Sequence, residues 1–329
     1  MRGGVNLEAF AESAACMPSS SLYTSFLLTL LLALPAAAPA QTIYSYTDEH
    51  GITHFTDRKP DTDAEVRVQR ALREPEALVD IRRSGPEEAP VWWFRNRTQG
   101  PLSVRIRLAD AVNVVSEPEL PEVFVLEGGV ERELVTIGAL DPRRSWRYQL
   151  KSEAVPGRIN ARHQPDRAYR VPLPAEGEFL VGQAFGGAFS HNEPASYHAV
   201  DISLPIGTPV HAARAGVVMD KARWFSGSGT RREYHGPRAN FVRILHDDGS
   251  MAVYAHLDYN GVQVRPGQQV QRGQVIGRSG NTGFSTGPHL HFVIQVNRDM
   301  QLVSVPFQFE GPDGRPFTPR AGSRISAGD

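Results

Sequence analysis

The chain has 329 residues, with 35 Lys and Arg against 36 Asp and Glu, and a single cysteine. A net charge of −1 leaves no electrostatic footprint for nucleic acid, and one Cys excludes both an internal disulfide framework and a thiolate-rich zinc site. An apolar fraction of 40% with 30 Gly and 25 Pro predicts several packed domains built from short strands and turns.

Residues 22–34, LYTSFLLTLLLAL, are apolar but shorter than the roughly 20 residues that span a bilayer. Ala38-Pro39-Ala40 has the small-x-small form of a signal-peptidase site, so residues 1–40 are expected to be an export signal. If it stays uncleaved, the run becomes a membrane anchor. Cys16 precedes the run and cannot serve as a lipid acceptor after it; cleavage leaves the charges balanced and no cysteine.

Residues 41–60 alternate apolar and aromatic residues around Asp48-Glu49-His50-Gly51, a hairpin signal. This stretch resembles the short N-terminal module of unassigned function found in many exported proteobacterial proteins; the resemblance implies a periplasmic or cell-envelope setting. His50 and His54 are read as loop and strand surface. Residues 61–90, rich in Pro, Glu and Arg, read as a linker with a short helix near 63–74. Five strand-like runs follow in 91–155, and Val104, Ile106 and Leu108 alternate with Ser103, Arg105 and Arg107, which predicts a small β-sandwich. Trp92, Trp93 and Trp146 are assigned to packing. Residues 156–178 read as a second connector.

The chemistry-bearing segment is 179–310, again short strands bounded by Gly and Pro, with a tail at 311–329. It contains no H-E-x-x-H, so a helical zincin site is excluded. In His289-Leu290-His291 the two imidazoles share one strand face, about 6.5–7 Å apart, while Leu290 faces the other way. Asp201 sits between Val200 and Ile202, where an acid is costly unless paired or metal-bound. His256 closes the apolar run AVYAH. Together these residues supply imidazole and carboxylate ligands with imidazoles to spare, the stoichiometry of a catalytic zinc with an open position.

Asp201 followed by PIGTPVHAARAGVV, then YAHL, GQQVQRGQVIG, SGNTG and GPHLHF resemble, in order, the lysostaphin-type (LytM-like) zinc metallopeptidases that cut peptidoglycan cross-bridges or stem peptides. The resemblance implies an all-β, antiparallel, barrel-like domain with a groove whose floor carries one Zn²⁺ per chain. It makes Asp201 and His291 metal ligands, and His256 and His289 the catalytic pair flanking the attacking water and the oxyanion. The family's commonest pattern places a His four residues before the Asp, and that position is Tyr197 here. His198 and His191 are the alternatives. His198 has the wrong parity on a regular strand and would need a bulge to serve, whereas a hairpin or loop can return His191 to the metal, a longer gap found in some relatives; His191, Asp201 and His291 are the expected metal set, with His198 the open alternative to His191.

The loop 221–239 carries Lys221, Arg223, Arg231, Arg232 and Arg238, suited either to groove-lining or to solvent. His211, His235 and His246 are assigned to structure or surface. The expected function is an exported zinc metalloendopeptidase acting on peptidoglycan peptides. The alternative is a catalytically inactive peptidoglycan-binding or amidase-activating module of the same fold. The upstream modules are expected to position or gate the enzyme, and no sequence feature names an envelope protein partner.

Overall fold

The structure is a computed structural model, describing residues 5–11, 42–47, 53–56, 60–70 and 74–327. The apolar run 22–34, the Ala38–Ala40 site and the Asp48–Gly51 turn with His50 lie outside the described residues. No helix among the described residues is long and apolar enough to cross a membrane. The chain forms two units, residues 15–74 and the remainder.

In the smaller unit, Thr42–Thr47 is the centre of a three-stranded antiparallel sheet, flanked by Thr53–Thr56 and Arg67–Arg70. The segment expected to hold a short helix thus supplies a strand. Its Arg-Val-Gln-Arg sequence has no helical apolar stripe, and it pairs as an edge strand.

The larger unit begins with two four-stranded sheets. One is ordered Val5–Ala11, Arg147–Pro156, Leu102–Val112, Glu122–Leu126; the other Val79–Ser84, Val91–Asn96, Glu131–Ala139, Val114–Glu117. The sandwich is therefore wider than 91–155. Val79–Ser84, inside the expected linker, pairs along the whole of Val91–Asn96, because Val79 and Leu78 bury into the same core. Val5–Ala11, inside the expected export signal, pairs antiparallel with Tyr148–Ala154. Phe94, Leu102, Val104, Ile106, Val135 and Ile137 fill the core at 0% exposure. Trp92 Nε1 donates to Tyr148 Oη at 3.0 Å, and Trp146 stacks on Tyr148. Buried aromatic polar tips find partners in this way, and the Trp residues serve packing.

The second part is one large, mainly antiparallel sheet. Its central run is Phe179–Gln183, Val200–Ser203, His289–Arg298, Met251–Val262, Asn240–Leu245, Gly216–Ala222. One face buries Val200, Ile202, Tyr254, Leu290, Phe292 and Ile294. The expected connector and tail belong to this domain. Tyr169, Val171 and Leu173 lie in its core, Tyr169–Arg170 pairs with Phe309–Glu310, and Ile325 pairs with Phe179 and is buried there. The Pro and Gly content that reads as linker here marks turns between very short strands. A small apolar cluster of Val155, Met219, Met251, Met300 and Leu302 joins the sandwich to this sheet. Gln99 N donates to Met219 O at 2.8 Å across the same junction.

Candidate active site

The residues singled out in the sequence converge on one face of the sheet. Asp201 and His291 are direct cross-strand partners, and so are Ser203 and His289. Their neighbours Val200, Ile202, Leu290 and Phe292 point to the opposite, apolar face, as a period of two requires. His291 Nδ1 lies 2.8 Å from Asp201 Oδ1. His289 Nε2 lies 3.7 Å from the same oxygen.

His191 reaches this place from the loop between Gln183 and Val200. Its backbone N–H donates to Gly187 O at 2.9 Å, turning the chain back over the sheet. Its Nδ1–H donates to Ala184 O at 2.8 Å, which leaves Nε2 as the ring nitrogen that faces the cluster. That Nε2 lies 3.1 Å from Asp201 Oδ1. His191, Asp201 and His291 have ligand atoms within 4.8 Å of one another. The two histidines are 0% and 1% exposed, and the Nε2 of each has no hydrogen-bond partner. A buried polar atom without a partner is costly, and a lone pair facing a carboxylate oxygen at this distance is repulsive unless a cation lies between them. The donor set, two neutral imidazoles and one carboxylate, therefore fits a zinc ion.

His198, the alternative ligand, lies elsewhere. Its backbone N–H donates to Ser304 Oγ and its Nδ1 to Ser304 O, both at 3.0 Å, and its ring meets Phe185 edge-on. Tyr197 is half-exposed, and its carbonyl accepts from Gly186 N.

His256 joins the cluster by an irregularity. Asn240 pairs with Leu257 and Phe241 with Ala255, so His256 is an extra residue bulging from its strand with φ of 63°. On a regular strand it would share the core-facing side with Tyr254; the bulge turns it toward the groove. Its Nδ1–H donates to Thr282 O at 2.7 Å, and Thr282 Oγ1 in turn donates to Leu257 O at 2.8 Å. The fully buried Asn240 secures the same turn, donating to Leu257 O and Asp258 O. His289 Nδ1–H donates to Gly287 O at 2.8 Å. Both rings thus present Nε2 to the groove, with centroids 4.5 Å apart.

Electrostatics matches this arrangement. Burial alone would raise the Asp201 carboxyl, but the adjoining His191 and His291 outweigh it and hold it well below the usual carboxylate range. Burial also pushes the His256 and His291 imidazoles down, reinforced for His256 by His289 and His291 and opposed for His291 by Asp201. Asp201 is therefore ionised, and His256 and His291 are neutral, at neutral pH.

The cleft above it has a volume of about 900 Å³. Its walls include the 184–199 loop, the 223–239 insertion and the turn at 284–288, while Glu153 of the sandwich and Met300 to Leu302 reach it as well. The insertion forms a helix, Arg232–His235, and pairs Ser228–Gly229 with Gly283–Phe284, which places Arg232 on the groove. Phe189 stacks on Phe284 at 5.4 Å and 10°, and Arg232 Cζ lies 4.7 Å from the Phe284 centroid.

Two contacts escaped sequence reading, in which Thr282 served only to set a turn before the His289–His291 strand and Gln183 had no role. Thr282 holds His256 through its backbone carbonyl, which carries no residue-type signal. Gln183 donates from Nε2 to Asp201 Oδ2 at 3.0 Å; the glycine before it, inside a strand, was the available hint of a bulge. His211, His235 and His246 lie outside the cluster, and His246 is buried with Nδ1 donating to Ala215 O.

Residues 195–302 match the model for peptidase family M23, and residues 30–78 that for a domain of unknown function, DUF4124. Residues 195–302 are thus similar to the M23 peptidases. Its M23 segment is 42% identical over 102 residues to the peptidoglycan DD-endopeptidase ShyA of Vibrio cholerae serotype O1, covering 31% of this chain and 21% of that protein. It is 38% identical over 99 residues to the DD-carboxypeptidase/endopeptidase Mpg of Neisseria meningitidis serogroup B, covering 30% and 20%. The solved structure of the antimicrobial peptidase lysostaphin from Staphylococcus simulans aligns at 33% identity over 36% of this chain and 43% of that one, with a TM-score of 0.28. The chain thus spans about a fifth of the length of the curated relatives it matches. The M23 match begins at residue 195, so Asp201, His256, His289 and His291 fall inside it and His191 precedes it.

Proposed function

We propose that the protein is an exported zinc metalloendopeptidase that hydrolyses peptide bonds in the cross-bridges or stem peptides of peptidoglycan. The observation that carries this reading is the convergence of His191, Asp201 and His291, with His191 Nε2 buried and unpartnered, beneath a cleft lined by Asp201 and His291. Export and an envelope location rest on the apolar N-terminal run followed by Ala38-Pro39-Ala40. The substrate class rests on the similarity to M23 enzymes named for peptidoglycan.

His191, Asp201 and His291 would hold one zinc ion. Zinc in such a site polarises the scissile carbonyl and lowers the pKa of an attacking water to about 7. His256 takes the proton of that water. Its Nδ1–H is engaged by Thr282 O, so its lone pair sits on Nε2, and burial keeps it neutral. His289, beside it, donates from Nε2 in its protonated form to the developing oxyanion, and the proton taken by His256 passes to the leaving amine. Its Nδ1 is fixed by Gly287 O, so the ring cannot turn that nitrogen to the groove.

The test is zinc content of the purified chain, wild type against His191→Ala, His198→Ala and His291→Ala, followed by digestion of muropeptides. The reading requires one zinc in wild type and in His198→Ala, and none in the other two. Absence of zinc from folded wild type after incubation with the metal would refute it and promote the inactive binding module. Zinc loss in His198→Ala with retention in His191→Ala would move the first ligand.

A further inference from the structure

We infer that Gln183 is a positioning residue for the metal centre, holding the Asp201 carboxylate and the His191 loop in one geometry; the inference rests on the zinc site proposed above. Gln183 ends the edge-side strand Phe179–Gln183 and pairs with Asp201, after a register shift that follows Val181. Val181 faces the apolar core. By regular alternation Gln183 would face it too, and the shift at Gly182 turns it onto the side of Asp201 instead.

The amide then makes three hydrogen bonds. Nε2 donates to Asp201 Oδ2 at 3.0 Å and to Ser190 Oγ at 2.6 Å. Oε1 accepts from Phe189 N at 3.1 Å. An ionised carboxylate only accepts and a backbone N–H only donates, so the residue between them needs a donor at one end and an acceptor at the other. A glutamate would set two carboxylates side by side, and a methionine would leave Asp201 Oδ2 and Phe189 N without these partners. Asp201 Oδ2 is thereby tied to Gln183, and Oδ1 is turned to His191 and His291. The same amide fixes residues 189 and 190, immediately before His191.

The chain makes room for this arrangement at Gly187. A Cβ built there would overlap Gln183 Cγ and Cδ. Gly187 also anchors the turn, its carbonyl accepting from His191 N. One glycine therefore serves both the loop and the amide, and any larger residue displaces Gln183 from Asp201.

The experiment measures zinc affinity of the full chain by competition with a chromophoric chelator, and the visible spectrum of the cobalt(II)-loaded protein at saturation. The variants are Gln183→Met and Gly187→Ala. The unfolding midpoint of each metal-free protein is recorded alongside. Loss of an outer-sphere partner of a metal ligand costs about 10–100-fold in affinity. Gln183→Met is expected to weaken zinc by that factor and to shift the cobalt bands, with a metal-free midpoint close to wild type. Gly187→Ala is expected to act in the same direction with Gln183 still present. Wild-type affinity and spectrum in Gln183→Met would overturn the inference and leave the zinc site standing. Weaker zinc with an unshifted cobalt spectrum and a lowered metal-free midpoint would reduce Gln183 to a general stabiliser and overturn it as well. Should Gln183→Met fail to fold, Gly187→Ala decides by the same criteria. A wild type that binds neither metal would overturn both the inference and the reading beneath it.

Discussion

The loops around the cluster hold a strap across the groove, and its removal has a calculable consequence. The floor runs through five neighbouring strands, from Phe179–Gln183 to Asn240–Leu245, about 19 Å at the usual strand spacing. Phe189 and Glu193 rise from the loop at one end and Arg232 from the insertion at the other. Arg232 Nη1 lies 3.2 Å from Glu193 Oε1, and Nη2 donates to Phe189 O at 3.3 Å. The Phe189–Phe284 stack contributes about 0.5–1.5 kcal/mol and the Arg232–Phe284 contact about 0.5–1 kcal/mol. The exposed Arg232–Glu193 pair adds close to nothing. A net of about 1–2 kcal/mol holds the strap closed roughly 5–30 times more often than open, and apparent substrate affinity falls by that factor. On the function proposed above, a cross-linked peptide tethered to glycan at both ends enters the groove from above, whereas a short free peptide enters from its end. Phe189→Ala removes the stack alone, about 0.5–1.5 kcal/mol, and leaves the Arg232–Phe284 contact, so it is expected to lower KM for intact peptidoglycan about 2–13-fold with kcat unchanged, and to leave a short chromogenic peptide unaffected. Steady-state turnover of both substrates checks this. Equal loss of kcat/KM on both would make Phe189 a substrate contact and refute the strap; no change on either would refute its closure.

His256→Ala should lower kcat by about 10²–10⁴-fold while zinc content stays at one per chain, checked by turnover and elemental analysis. Zinc loss with His256→Ala would make that residue part of the metal set. Stripping the metal should lower the unfolding midpoint, because His191 Nε2 is buried without a hydrogen-bond partner; zinc at a thousandfold excess over Kd restores about 4 kcal/mol, read by calorimetry. His246 gives a pH test away from the site. Burial, the largest influence, holds its imidazole down at about 4 against an ordinary 6.5, so the unfolded chain takes up the proton first. Stability from the neutral ring is complete above pH 6.5 and is lost as pH falls toward 4, about 3 kcal/mol in all. His246→Leu orphans Ala215 O at a cost of about 1 kcal/mol at every pH. In urea unfolding with chelator the variant should be the less stable at neutral pH and the more stable by about 1–2 kcal/mol near pH 4.5. Parallel profiles would contradict the buried neutral imidazole.

The parts of the site that were legible and those that were not divide along one structural line. On the two central strands strict alternation holds. Asp201 and His291 lie on one face, and Val200, Ile202, Leu290 and Phe292 on the other. Sequence parity alone puts these ligands together. On the two flanking strands alternation fails, and it fails where function needs it to. Read as a regular strand, AVYAH sends His256 to the core beside Tyr254, and FLVGQ sends Gln183 there beside Val181. A bulge at His256, with φ of 63°, and a register shift after Val181 bring each onto the groove face. His256 was singled out as the end of an apolar run, its catalytic role coming from the resemblance to the family motif rather than from period, and Gln183, outside any motif considered, was missed. His191 was placed by a loop whose return depends on backbone bonds to Ala184 and Gly187, which residue types do not encode. The linker assignments failed for a related reason: Val79–Ser84, Tyr169–Arg170 and Arg324–Ile325 are short strands whose apolar residues bury only in the assembled core. The sheet thus sets its metal ligands by regular pleat and its supporting residues by interruption of that pleat. A regular strand keeps the period of its neighbours, so an extra residue is needed to turn a polar side chain from the core-facing side onto the groove. Deleting Gly182, which restores the period, should return Gln183 to the core side and weaken zinc binding as Gln183→Met does, measured by the same chelator competition. Unaltered affinity would show that the shift serves the strand and not the site.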